Sequence, residues 1–318
     1  MASTLRAAAA NPARPRAQGI TVTDLLLLLM ALIWGVNFAV VKFATGLIAP
    51  LAFNSLRVGL ACIVLFGVAW AGGHALPRGR DRLSLLALGA LGNGLYQILF
   101  IQGISRTRAG DAALLIAAAP ALMAIIGWLR GSERTGPRGI AGIALSLMGI
   151  ALVVIGEGNG GGGGSSILIG DALILVACLC WSLYTVLLKP YTERIDGVPL
   201  AATTLAGGAL PLLLVSLPSL ARTEWPAVSL GAWAAVGYSG LFAIVLGYLF
   251  WYRGVRVLGP TRTGMYANLQ PIIALIVAWA ALGETPHLLQ LAGAGCIMSG
   301  LVLTRLGSTA STTTPVCE

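Results

Sequence analysis

The sequence predicts an all-α integral membrane protein with ten transmembrane helices in two inverted five-helix repeats. Three observations predict it. Of the 318 residues, 57% are hydrophobic and only 10% are charged, where an ordinary soluble domain has about 25% charged. So few charges cannot cover a water-facing surface, and lipid must be the solvent for much of the chain. The apolar residues lie in long unbroken runs such as Leu25 to Ile33, unlike the short alternating strands of a β-barrel. The two halves of the chain also align with one another, which is the mark of an internal repeat.

A helix crosses the bilayer core with about twenty apolar residues. The first run, 22–42, begins beside Asp24 and ends at Lys42, charges that suit the two poles of a helix. Its continuation Trp34-Gly35-Val36-Asn37-Phe38 offers no small-residue cleavage site, so a span is expected and not a signal peptide. The second run, 50–70, opens at Pro50 and carries Arg57. The third, 83–103, holds Tyr96, Gln97 and Gln102 among Gly89, Gly92 and Gly103, which allow close helix contact. The fourth, 110–129, starts at Asp111 and contains Pro120 after Ala117-Ala118-Ala119; the fifth is 138–156. Residues 156–166, GEGNGGGGGSS, then form a flexible linker.

In the second half, run 167–188 has Asp171 near its start, Trp181 and Tyr184 within it and Lys189 just beyond it. Runs 199–218, 229–252 (with Tyr248 and Trp251), 263–282 (with Asn268-Leu269-Gln270-Pro271) and 287–304 complete the ten. Pro120 and Pro271 each remove a backbone donor and are expected to kink their helices, shaping a cavity. The expected organisation is a cytoplasmic tail 1–19, a first repeat 20–156, an extracytoplasmic linker 157–166, a second repeat 167–305 and a cytoplasmic tail 306–318.

Orientation follows from the placement of Lys and Arg, which concentrate in cytoplasmic loops. With the N-terminus inside, fifteen of the twenty fall on the cytoplasmic side, among them Arg78, Arg80, Arg82, Arg130, Arg134 and Arg138. Four (Lys42, Arg106, Arg108 and Arg222) fall outside, and Arg57 stays within the second span. Both termini are therefore expected to be cytoplasmic. At an offset of 147, Asp24, Trp34 and Lys42 match Asp171, Trp181 and Lys189, and Pro50-Leu51-Ala52 matches Pro199-Leu200-Ala201 at 149. Later the offset settles at 151, where Gly103, Pro120, Glu133, Gly142 and Gly149 match Gly254, Pro271, Glu284, Gly293 and Gly300. Each half has an odd number of spans, so the second lies upside down relative to the first. Such halves suit alternating access, because exchanging their conformations moves the opening from one face to the other.

The formal charge of +9 is dispersed, with no basic stripe to bind nucleic acid. Cys62, Cys178, Cys180, Cys296 and Cys317, with His74 and His287, form no metal-ligand spacing or nucleophile set. No catalytic residue, metal or cofactor is expected. The polar residues in the spans suit binding instead. Amides at Asn37, Gln97, Gln102, Asn268 and Gln270 should face the bundle interior, where they either bond helix to helix or touch a ligand. Arg57 lies about 10 Å along its helix from Pro50. Three readings are open for it: snorkelling to the outer interface, pairing inside the bundle, or binding a carboxylate through its fork. Its repeat counterpart is Ala206, so only one half contributes this charge. Glu284 is either an interfacial cap or a proton-coupling carboxylate, and Asp24, Asp111 and Asp171 are read as helix caps.

ALIWGVNFAVVKF at 31–43, PLAFNSLR at 50–57, GISRTRAGDAALLIAAAPALMAII at 103–126 and QPIIALIVAWAALGETP at 270–286 together resemble the drug/metabolite transporter superfamily, in its ten-span branch with two EamA domains. The resemblance covers nearly all of residues 20–305 and is strongest to bacterial amino-acid exporters, including those for aromatic amino acids. It implies an inner-membrane exporter of neutral or aromatic amino acids and related small metabolites, with the lipid bilayer as its surroundings and a monomer as the expected state. Trp34, Asn37, Arg57, Tyr96, Gln97, Trp181, Tyr184, Tyr248, Asn268 and Gln270 become candidate cavity residues. The second half replaces Gly35 and Asn37 by Ser182 and Tyr184, a departure from the opening motif. A carrier of another metabolite or a lipophilic drug, and a nontransporting membrane interaction protein, are the alternatives.

Overall fold

The structure, a computed structural model, describes residues 21–130, 134–158, 164–258 and 260–309, and for 134, 135, 157, 158, 164, 260–262, 265 and 304–309 it describes the backbone alone. The expected tail 1–19, Glu133, the middle of the glycine linker and residues 310–318 lie outside the described residues.

Ten helical rods follow one another: α1 (Val22–Thr45), α2 (Pro50–Ala71), α3 (Gly79–Ile104), α4 (Ala109–Leu129), α5 (Pro137–Gly158), α6 (Gly164–Arg194), α7 (Gly197–Arg222), α8 (Leu230–Leu258), α9 (Pro260–Ala267 continued by Gln270–Leu282) and α10 (Leu288–Gly307). Among the described residues, α1 to α8 each contain a stretch long and apolar enough to cross a bilayer alone. Of the other two, α9 is divided, and α10 is apolar over Leu288–Leu303 among the residues whose side chains are described. The only described strands are two residues each, β1 (Arg134–Thr135) and β2 (Ser308–Thr309), paired antiparallel. Three expected boundaries shift. Helix enters the glycine linker from both sides, to Gly158 and from Gly164, and α10 reaches Gly307 where a tail from 306 was expected.

Local chemistry sets the ends of these rods. Thr21 and Asp24 form a reciprocal capping box at the start of α1. Pro50 stands in the first turn of α2, where its missing N–H leaves no helix bond unmade. Gly283, at φ 69°, closes α9 in the left-handed conformation, and Glu284 N donates to Ala278 O at 3.2 Å. The sides of the rods invert the pattern of a soluble protein. Leu25, Leu28, Leu29 and Leu32 of α1 are exposed, whereas Asn54, Arg57, Gln97, Asp111 and Asp171 are buried. Lipid takes the apolar surface, and the bundle interior takes the polar groups.

The inverted repeat is visible in the packing. Gly142 and Gly149 of α5 have Gly293 and Gly300 of α10 as repeat partners, and they meet crosswise. A Cβ on Gly149 would lie 2.7 Å from Gly293 O, and one on Gly300 would lie 2.5 Å from Gly142 O. A two-fold axis between halves requires this reciprocal pattern. The irregular places are matched too. A π-helical stretch at Ala90–Leu95 in α3 overlaps, at offset 151, the one at Tyr238–Leu246 in α8. α4 breaks at 117–118 and α9 breaks at 268–269, the same places at offset 151. The expected proline kinks are thus interruptions of the helix. Pro120 and Pro271 sit in the first turn of the second half-helix, where the lost donor does little harm.

Candidate functional site

The two breaks face each other across a cavity of about 320 Å³. Its floor and walls come from both halves: α1, α2, α3 and α4 from the first, α6, α8 and α9 from the second, with Leu301 of α10 at the edge. Ala117, Ala119 and Pro120 form a small-residue wall at one break, and Asn268, Gln270 and Pro271 form a polar wall at the other. The first helix of each half seats against the break of the opposite half. Gly35 leaves room for α9: a Cβ there would lie 2.6 Å from Ile273 Cβ and 3.1 Å from Gln270 O. In the other half the Ser182 hydroxyl lies 3.2 Å from the Ala119 carbonyl oxygen and 2.7 Å from that of Cys178. Residues 119 and 270 are repeat partners, so the replacement of Gly35 by Ser182 exchanges a close approach for a hydroxyl contact.

An aromatic cluster fills the middle. Trp34 stands edge-on to Trp181 (centroids 6.2 Å apart, 83°) and to Tyr248 (6.3 Å, 87°), and Trp251 lies 5.7 Å from it. Trp181 also touches Tyr96 at 5.3 Å and Tyr248 at 5.8 Å. Trp34 is held from behind: its Nε1 donates to Ala243 O at 2.7 Å. That carbonyl belongs to the π-helical stretch of α8, whose following Gly247 N–H is directed to Phe242 O and Ile244 O instead.

Arg57 forms the polar node. It is 2% exposed, which rules out snorkelling among its three readings: the side chain turns into the bundle, where amides receive it. Nε donates to Asn54 Oδ1 at 2.7 Å, and one terminal nitrogen, Nη2, donates to Gln97 Oε1 at 2.8 Å. Asn54 Nδ2 in turn donates to Gln97 O at 3.0 Å. Phe53 and Phe100 lie 5.5 and 5.8 Å from the guanidinium. It makes no ion pair with a described carboxylate, and its Nη1 has no hydrogen bond among the described residues while the side chain lines the cavity. Gln270, 7% exposed, also faces the cavity without a described side-chain hydrogen bond.

The bundle is open at one end and closed at the other. The cavity runs to the exposed Arg130, Lys189 and Pro190, at the end where α4 and α6 finish. At the opposite end polar contacts tie the halves together. Glu284 Oε1 and Oε2 accept from Ala109 N–H (3.1 Å) and Gly110 N–H (3.3 Å) at the start of α4. Arg108 Nη2 donates to Thr285 O at 2.6 Å, Gln290 Nε2 to Asp111 Oδ1 at 2.8 Å and Thr107 Oγ1 to Asp171 Oδ1 at 2.5 Å. Lys42 Nζ reaches the carbonyls of Ile104 and Ser105, each at 3.2 Å.

Two stretches of the chain, 21–155 and 168–306, each match the EamA-like transporter family. The chain belongs to that family. It is 29% identical over 287 residues to the uncharacterized transporter YyaM of Bacillus subtilis, covering 89% of this chain and 93% of that one. To YdfC of the same organism it is 31% identical, with 80% and 81% covered. A probable terminal-alkyne amino-acid exporter of Streptantibioticus cattleyicolor is 28% identical, with 85% and 92% covered. A solved crystal structure with a TM-score of 0.65 and 22% identity covers 89% of this chain and 96% of its own, and it shares the fold. The molecule is a multi-pass membrane transporter of the EamA-like family.

Within that family fold, Trp34, Asn37, Arg57, Tyr96, Gln97, Trp181, Tyr248, Asn268 and Gln270 line one cavity, as do Pro120 and Pro271. Tyr184 does not. It is fully buried behind Trp181 (5.5 Å), its hydroxyl 2.7 Å from that of Tyr252, because α6 turns that face toward α8 and α3. A Cβ on Gly92 would strike its ring at 2.2 Å. Glu284 stands outside the cavity, in the closed end. Asp24 caps α1 as expected and also accepts from Tyr266 OH at 2.5 Å. Asp171 does not begin its helix, since α6 starts at Gly164, and it serves as the acceptor for Thr107. Asn54 was not singled out by sequence reasoning, although a polar residue three before Arg57 shares its helix face. Thr185, Lys189 and Arg130 also line the cavity, and only the position of the helix ends reveals it.

Proposed function

We propose that the protein exports neutral or aromatic amino acids and related small metabolites from the bacterial cytoplasm across the inner membrane by alternating access. The observation that carries the reading is Arg57: a buried guanidinium held by two amides, lining the cavity with one terminal nitrogen outside the described hydrogen bonds. A carboxylate there gains a charge-assisted hydrogen bond away from bulk water. The surrounding Trp34, Trp181, Tyr248 and Trp251 offer ring faces to an apolar or aromatic side chain. The amino-acid exporter among the relatives supports the same cargo. With both termini cytoplasmic, as the fifteen-to-four division of basic residues favours, the mouth at Arg130 and Lys189 opens inward. In this reading the repeats 20–156 and 167–305, joined by an outer linker at 157–166, are the two moving units, and one chain suffices.

Proteoliposome counterflow with labelled amino acids tests the reading, using wild type and Arg57→Ala. Wild type should exchange label and R57A should lose at least roughly tenfold of that rate, the size expected for one charge-assisted contact. Equal rates remove the role of Arg57. Exchange of unrelated solutes with no amino-acid preference favours the second reading, a carrier of lipophilic compounds, for which the largely apolar aromatic wall is the supporting observation.

A further inference from the structure

Among the described residues, the cavity lining carries positive charge without a counter-charge. Among its described lining residues, the ionisable groups other than tyrosines are Arg57, Arg130 and Lys189, and no Asp, Glu or His lines it. None of these three cations pairs with a described carboxylate. Two sit at the mouth and one lies at depth, so an entering solute meets positive potential throughout its path. We infer that the recognised cargo is an organic anion, a single carboxylate on an aromatic or large apolar body, and that the α-ammonium of an amino acid takes no part in recognition. The inference rests on the reading of this cavity as the transport site and narrows its substrate class.

Burying the Arg57 charge is costly, and the amides of Asn54 and Gln97 offset that only in part. A carboxylate completes the neutralisation. An ammonium does the reverse: it adds a positive charge to a low-dielectric space that holds no acid to receive it. Of two molecules with the same ring and carboxylate, the one without the amine therefore loses less on leaving water. The side-chain oxygen of Gln270 and the aromatic faces supply the competing attractions for an ammonium, a hydrogen bond and a cation–π contact, and an amine lacking the carboxylate reads both together.

The test titrates the purified full chain in detergent with phenylalanine, 3-phenylpropionate and phenethylamine, which share a ring and differ in the charged groups. Quenching of the cavity tryptophans reports binding without interference from passive permeation of the acid, and counterflow in proteoliposomes is run with the same three. We expect 3-phenylpropionate to bind at least as tightly as phenylalanine and phenethylamine to bind weaker by about tenfold or more, the loss of one charge-assisted contact. R57Q should bring the acid and the amine together. The wild-type comparison needs no variant to fold. Phenylalanine binding and moving while 3-phenylpropionate does neither overturns this inference and leaves the amino-acid reading standing. Phenethylamine binding as well as the acid also overturns it, through the aromatic faces. Silence of all three removes the amino-acid reading and this inference together.

Discussion

Trp34 is positioned by an absence at Gly247. A Cβ on Gly247 would lie 2.2 Å from Trp34 Nε1, the atom that donates to Ala243 O. The ring cannot retreat, because Trp181 and Tyr248 stand against it. Gly247→Ala should therefore break the Trp34 hydrogen bond and cost ~1–3 kcal/mol, as overpacking of a filled interior does. Gly59 is the control: nothing lies within 4 Å of a Cβ placed there. Thermal unfolding in detergent should fall clearly for G247A and stay level or rise slightly for G59A, where alanine is the better helix former. Equal shifts in the two would mean that the contact at Trp34 contributes nothing. Single residues vary in how far sequence reveals them. Arg57 stands out in any reading, being a charge in an apolar run. Its fate was not legible, since snorkelling and inward pairing differ only in side-chain direction, which is set by Asn54 and Gln97 on two different helices.

At the scale of elements, the chain's Gly283-Glu284 pair joins one helix end to another. Gly283 adopts the left-handed cap that finishes α9, and this turns Glu284 onto the first amides of α4, where the helix dipole favours a carboxylate. Of the two sequence readings of Glu284, an interfacial cap or a coupling carboxylate, the geometry matches the cap, and the contact ties one repeat to the other. Glu284→Ala should loosen the closed end. A cysteine at Ala113, in a chain lacking its native cysteines, should react about tenfold faster with an impermeant thiol reagent applied opposite the cavity mouth, given the usual strength of hydrogen bonds to a charged group. An unchanged rate would show that the other polar contacts hold the end without it. The rods themselves are legible from apolar run length, and the glycine-rich stretch marks where the halves divide. Their interruptions are less so. Pro120 and Pro271 announce a disturbance, but whether a helix bends or stops depends on what the partner helix offers the freed carbonyls. Here Pro120 frees the Ile116 carbonyl, and Cys178 Sγ of the opposite half lies 3.6 Å from that oxygen as its donor; no local pattern encodes that. The π-helical stretch of α8 is similarly hidden, because its Ala243 carbonyl accepts from Trp34, a side chain from elsewhere in the chain.

For the whole molecule, the two-fold relation and the single opening are in tension. Two halves that pack reciprocally through Gly142, Gly149, Gly293 and Gly300 would, if identically shaped, leave both ends alike. One end is nevertheless open at Arg130 and Lys189, and the other is tied. The halves therefore hold different conformations here, and in the proposed alternating-access cycle an exchange of those conformations would generate the opposite opening. The closed end should then have to separate once in every cycle. Thr107 and Asp171 provide a clasp to test this, their side chains 2.5 Å apart and joining the first half to the second. Their backbones are close as well, since a Cβ on the adjacent Gly170 would lie 2.9 Å from Thr107 N. T107C/D171C should form a disulfide under mild oxidation, and exchange in proteoliposomes should fall to the background of protein-free vesicles. Reductant should restore it, which separates a locked molecule from a damaged one. The locked chain should still bind ligand from the mouth with unchanged tryptophan quenching, because the cavity remains open at Arg130. Wild-type exchange rates with the disulfide fully formed would mean that the closed end never opens, and the two repeats would then need a role other than alternating access.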